Sequence, residues 1–141
     1  MPITRKDNWT DLLTEFIKSR NNEPFCWGRN DCCLFASDWI KTCTGVDPAE
    51  TLRGKYDSEL TAARVLKKHG GVDGVIAEFV ETLGAVRVDP KFAQRGDLAV
   101  RFTGKGDSIG IVIGNFAAFV GANGLLFAPL DGQAELRCWR I

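Results

Sequence analysis

Several features that commonly announce a function are scarce in this 141-residue sequence. Neither sign of charge is in excess. With 18 Lys and Arg against 18 Asp and Glu, no field of one sign draws the chain to nucleic acid or anionic lipid. A single tyrosine and the lack of a basic aromatic patch point the same way. No apolar run approaches the length that spans a bilayer. The polar opening Met1-Pro2-Ile3-Thr4-Arg5-Lys6-Asp7 does not read as a secretory leader. Five cysteines form no even framework and none sits in a C-x-x-C spacing, so a disulfide scaffold is disfavoured and synthesis in a reducing compartment fits best. There is no repeat, low-complexity tract or internal linker. What is left is one domain, 1–141, long enough to bury a core without staples.

The first half of the chain is helical in pattern. From Asp7 to about Arg20, Trp9, Leu12, Leu13, Phe16 and Ile17 form one apolar stripe, with Asp7 as the cap. Asn21-Asn22-Glu23-Pro24 ends it. A second helix runs to about Thr44 with Gly45 just past its end, its apolar residues Phe35, Trp39, Ile40 and Cys43 at helical spacing. Val46 to Asp57, with Asp47-Pro48 and Arg53-Gly54, reads as an irregular connection. Ser58 caps a third helix that ends at His69-Gly70-Gly71. A fourth spans Val72 to Leu83, with Val72, Val75, Ile76, Phe79, Val80 and Leu83 facing the core and Gly84 closing it.

After Gly84 the period changes to that of strands. Short runs are expected at Ala85–Val88, Asp97–Phe102, Ser108–Gly114, Asn115–Gly121, Leu125–Ala128 and Ala134–Ile141. Turns are expected at Thr103–Asp107, Ala122-Asn123-Gly124 and Pro129–Gln133. Helices first and a meander of strands second predict an α+β fold, with the helices segregated on an antiparallel sheet.

The stretch that carries chemistry is Phe25-Cys26-Trp27-Gly28-Arg29-Asn30-Asp31-Cys32-Cys33-Leu34-Phe35. An aromatic and glycine-bearing loop leads into the second helix, with Asn30 or Asp31 as its N-cap and Cys32 in the first turn. Unpaired N–H groups and the helix dipole favour an anion there, and a thiolate is such an anion. Locally, the alternative is that Cys32 and Cys33 are small apolar residues in a helix–sheet interface. A metal site made of Cys26, Cys32, Cys33 and Cys43 is disfavoured. Adjacent cysteines point to different helix faces, and the other two lie at opposite ends of the segment.

Four pieces in order resemble the NlpC/P60 branch of papain-like cysteine peptidases. They are Trp27-Gly28, Asp31-Cys32-Cys33-Leu34-Phe35, Gly96-Asp97-Leu98-Ala99-Val100 and Ser108-Ile109-Gly110-Ile111-Val112-Ile113-Gly114. The chain is similar more closely still to a family of small phage tail proteins with a Phe-x-Trp-Gly-x-x-Asp-Cys motif. That family also shows a downstream tyrosine (Tyr56), Gly-Asp-Leu, and a terminal Trp-Arg-aliphatic (Trp139-Arg140-Ile141). The resemblance implies a papain-like fold, with N-terminal helices on an antiparallel sheet or half-barrel, and makes Cys32 the heir of a nucleophile.

Such a peptidase also requires an imidazole to take and return the proton. The resemblance puts that histidine at position 108, where this chain has Ser108, and a hydroxyl cannot do the same work near neutral pH. The only histidine, His69, falls at a helix C-terminus and reads as an exposed imidazole near the dipole. Asp107 reads as a solvent-facing turn carboxylate, and Asp97 as part of the strand entry; His69, brought to the sulfur by the fold, or Asp107 is the alternative for the missing base. No cofactor or metal is expected.

The resemblance thus implies a structural component of a tailed-phage tail tip or baseplate hub, catalytically degenerate, made in the host cytoplasm and located in the virion. Its expected partners are other tail proteins (hub, distal tail and tip), with three copies around the tail axis and no nucleic acid or membrane insertion. Phe116–Phe127 and the C-terminal strand are candidate contact surfaces, because an open sheet edge invites pairing. The alternative is an active cysteine peptidase or amidase that cleaves peptidoglycan peptides during entry, with Cys32 as nucleophile.

Overall fold

A layer of helices lies on one face of a six-stranded antiparallel sheet in the computed structural model, which describes residues 3–103, 106–132 and 135–141. The order is α1 (Trp9–Arg20), α2 (Cys32–Thr44), α3 (Glu59–Lys68), α4 (Gly71–Leu83), then β1 (Val86–Val88), a 3-10 turn (Pro90–Phe92), β2 (Leu98–Phe102), β3 (Asp107–Val112), β4 (Phe116–Gly121), β5 (Gly124–Pro129) and β6 (Arg137–Arg140). The α+β class and the helix-then-sheet division are as expected. Expectations for 1–2, 104–105 and 133–134 lie outside the described residues.

The helix ends follow local chemistry. Asp31 caps α2 by accepting the Leu34 N–H at 3.0 Å, and Gly45 closes that helix in the left-handed region at φ 85°. Ser58 and Thr61 form a reciprocal capping box on α3. The expected Asp7 cap on α1 is corrected: the helix begins at Trp9 behind Asn8, which caps with no side-chain bond.

α2 is the central helix. Its Phe35, Trp39 and Cys43 pack with Leu13 and Phe16 of α1 and with Ile111 and Ala118 of the sheet. Its Cys33, Leu34, Ala36 and Ile40 meet Val75, Ile76 and Phe79 of α4, together with Leu98, Val100 and Ile109. A third cluster, including Ala99, Val112, Ala117, Phe119, Leu136 and Cys138, lies on the opposite sheet face. β3 therefore alternates, with Ile109 and Ile111 toward the helices and Val112 away.

The strand order is β1-β6-β2-β3-β4-β5, so the sheet is not a simple meander. The C-terminal strand inserts between β1 and β2, pairing Val86–Arg140 on one side and Leu98–Trp139 on the other. This corrects the expectation that it offers an open edge; the edges are β1 and β5. Asp107 is likewise corrected from turn to strand, as the first residue of β3 opposite Phe102.

The Gly-Asp-Leu entry to β2 is structural. The Asp97 carboxylate is fully buried, accepts the Gln94 N–H at 2.8 Å and pairs with Arg5 Nη2 at 2.7 Å. Arg5 also donates to the carbonyls of Arg95 and Ile141, tying the start of the chain to its end. Trp39 Nε1 donates to the Gly96 carbonyl at 3.0 Å, and a Cβ at Gly96 would stand 2.7 Å from Arg5 Nη1.

Candidate active site around Cys32

The loop before α2 is closed on itself by a two-way backbone bridge between Cys26 and Asn30. Asn30 is buried, and its amide donates to the carbonyls of Glu23 and Pro24 at 3.2 and 3.0 Å, which fixes the approach to the helix. Phe25 and Trp27 meet edge to face with centroids 4.7 Å apart. Gly28 lies at φ 81°, and a Cβ there would stand 2.3 Å from the Tyr56 carbonyl oxygen. Only glycine satisfies both conditions.

Asp31 organises the entry to α2. Its buried carboxylate accepts the Gly28 N–H at 3.0 Å, the Leu34 N–H at 3.0 Å and the Tyr56 hydroxyl at 2.7 Å. Burial first, then the charge and hydrogen bond of Asp31, push the Tyr56 hydroxyl above the ordinary phenol range, so it serves as a neutral donor. The aromatic, glycine, aspartate and tyrosine of the sequence motif thus form one connected unit, and its product is a fixed orientation for the first residue of α2.

That residue is Cys32, half-buried on the wall of a cavity of about 380 Å³ lined also by Trp27, Tyr56, Gly70, Asp73 and Asp107. Its thiol is held below the usual value. A hydrogen bond from the Cys33 thiol contributes most, and the Ile109 N–H adds to it, against burial and the charge of Asp31. The α2 N-terminus acts in the same sense. Cys33, buried beneath, moves well upward for the converse reasons: that same bond, burial, and the charges of Cys32 and Asp31. The two adjacent thiols are thus driven in opposite directions, Cys32 down and Cys33 up.

No imidazole accompanies it. His69 caps α3, and its Nδ1 meets the two Glu78 oxygens at 2.8 and 3.1 Å, in a different cleft lined by Asp47, Glu50 and Glu81. It is half-buried and paired, which corrects the exposed reading. Ser108 pairs in register with Arg101, and the Cys32 cavity is lined by its neighbour Asp107 and not by Ser108. Sequence reasoning undervalued Asp107. The signal was available in strand parity, since Asp107 is in phase with Ile109 and Ile111. Arg137 Nη2 holds the Asp107 carboxylate at 2.9 Å, and Arg137 Nη1 holds Asp73 at 2.8 Å.

The remaining cysteines do not converge. Cys43 belongs to the α1–α2 core, Cys138 to the far sheet face, and Cys26 is exposed on the loop. Burial pushes the Cys43 thiol up to about 11 and the Cys138 thiol also to about 11. Among the described residues, no group of three or more His, Cys, Asp or Glu is placed to hold a metal ion.

The fold and site define a small α+β protein with a half-buried cysteine in the first turn of its central helix, beside a cavity and without a histidine partner. The chain belongs to the DUF6950 family, described as a domain of unknown function, whose model matches residues 4–141. No curated protein matches it.

Proposed function

We propose that this protein is a catalytically degenerate papain-like module of the NlpC/P60 type that serves as a structural part of a tailed-phage tail tip. One observation carries the reading. The residues that would position a nucleophile, Trp27, Gly28, Asp31 and Tyr56, are knit around Cys32. The cavity beside the sulfur nevertheless contains two carboxylates tied to Arg137, those of Asp73 and Asp107, and no imidazole. A thiolate alone can attack a carbonyl but cannot protonate a leaving amine. Losing the general acid–base group forfeits roughly 10²–10⁴ in rate. A positioning apparatus without its proton carrier fits a scaffold kept for shape.

In that role the partners are other tail proteins, in three copies around the tail axis. The β5 edge with its exposed Phe127, together with the exposed Phe116 of the adjoining β4, is the surface we assign to subunit contact. Among the described residues no helix is long and apolar enough to cross a membrane.

Incubation of the purified protein with muropeptides is expected to give no cleavage, with Cys32→Ser indistinguishable from the parent. Product formation that Cys32→Ser abolishes would replace this reading with that of a working peptidase. Mass spectrometry of purified phage particles is expected to find the chain, and its absence from them would remove the structural role.

A further inference from the structure

The cavity over Cys32 is closed on one side by the corner between α3 and α4. Two consecutive glycines form that corner, Gly70 at φ 85° and Gly71 at φ 75°, and among the described residues no side chain caps the α4 N-terminus. Gly70, Gly71, Val72 and Asp73 all line the cavity. The buried residues that hold α4 in the core begin only at Val75. The first turn of α4 is held by Val72, half-buried against the helix-side core, and by the ion pair of Asp73. Asp73 is bound by Arg137 of β6, and the same guanidinium holds Asp107 of β3 on the opposite wall. Asp107 also lines a second cavity of about 380 Å³, on whose wall Arg137 and Phe102 lie. The Asp73–Arg137–Asp107 bridge thus stands between two clefts.

We infer that residues 70–73 are a strap over Cys32, hinged at Gly70-Gly71 and bolted by Arg137. When the Asp73 arm lets go, the first turn of α4 swings or unwinds, and the two clefts become one groove leading to the Cys32 sulfur. Exposure makes this bolt weak enough to open: the Asp73 side chain is 69% accessible, and ion pairs so placed contribute little. The Asp107 arm, 23% accessible, is the more sheltered one and keeps Arg137 in place while the strap moves. Glycine at both hinge positions removes the steric penalty that other residues meet at positive φ, so the backbone opens without strain and only Val72 is lifted from its half-buried contact.

The inference rests on the reading of Cys32 as an old nucleophile for its meaning, but its test involves no hydrolysis. In a Cys26→Ser background, which removes the exposed thiol, alkylation of Cys32 by iodoacetamide is followed by peptide mass. Rates are taken on the alkaline plateau, where ionisation of the thiol no longer limits them. Asp73→Asn and Arg137→Gln are each expected to accelerate Cys32 labelling about two- to five-fold. Sodium chloride on the order of 1 M is expected to accelerate the parent and not the variants. Equal rates in parent and both variants would overturn the strap. So would parallel acceleration at the buried Cys43 and Cys138, which would indicate general loosening. Muropeptide turnover by the parent would sink the pseudoenzyme reading without touching these rates, so the two ideas fail separately.

Discussion

Cys33 does more for Cys32 than fill space. Its thiol is the principal influence that lowers the Cys32 pKa, and it is buried and proton-retaining itself. Cys33→Ala removes that donor and leaves the Ile109 N–H and the helix terminus. The pH at which Cys32 labelling is half-maximal is therefore expected to rise, with slower labelling at a given pH below the plateau. An alkylation–pH profile in the Cys26→Ser background reads this directly, and an unchanged midpoint would mean that the Ile109 N–H and the helix terminus suffice without the Cys33 thiol. Asp97 poses a different residue-scale question, because burial drives its carboxyl pKa up while Gln94, Arg5 and Arg140 oppose that rise. Arg5→Ala leaves a buried carboxylate without its close cation, so a loss of about 3–5 kcal/mol is expected. Asp97→Asn removes the charge and keeps an acceptor for the Gln94 N–H, so it costs less. The direction of the pKa shift sets the sign of the pH effect. A carboxyl whose folded pKa is raised contributes stability below its unfolded value, and this is lost as pH rises through the folded value. Removing Arg5 raises that value further, so the deficit of Arg5→Ala is expected to shrink on going from about pH 7 to about pH 5. Urea titrations at the two pH values measure it.

At the scale of elements, caps and hydrophobic period were readable because they are local. Ser58 illustrates this: its side chain accepts the Thr61 N–H, and Thr61 answers to the Ser58 N–H at 3.0 Å. Ser58→Ala is expected to cost about 1 kcal/mol in urea unfolding, mainly by fraying α3. The Asp31 cap and Gly45 stop were legible for the same reason, and with them the place of Cys32. What the sequence could not display was pairing between distant segments. Nothing local in Arg137-Cys138-Trp139-Arg140 states that β1 and β2 will accept it between them. The partners of Asp107 and His69 were hidden likewise. Arg137 lies 30 residues from Asp107, and Glu78 reaches His69 only because the glycine corner folds α4 back on α3. The Gly28 requirement was visible as a motif, but its cause, the Tyr56 carbonyl pressing on the absent Cβ, was not.

For the molecule as a whole, the inserted β6 decides how much of the chain must be made before any of it is stable. Were β6 an edge strand, ending the chain after Leu136 would trim one ladder and leave the rest standing. Because it is internal, the same truncation breaks both of its ladders, detaches β1, and removes the Ile141 carbonyl that receives Arg5 Nε at 3.0 Å. It also deletes Trp139 from the helix-side core and Cys138 from the opposite one. Loss of a buried tryptophan alone costs about 3–5 kcal/mol, and a typical domain has only about 5–15 kcal/mol in total. The truncated chain is therefore expected to show no cooperative thermal transition by circular dichroism. Trp139→Phe, which keeps the strand, is expected to melt cooperatively at a lower temperature. A cooperative transition in the truncated chain would mean that α1, α2 and β2–β5 form a self-sufficient unit. The closing strand would then be a surface attachment that a neighbouring molecule could replace, in place of the keystone that this strand order makes it.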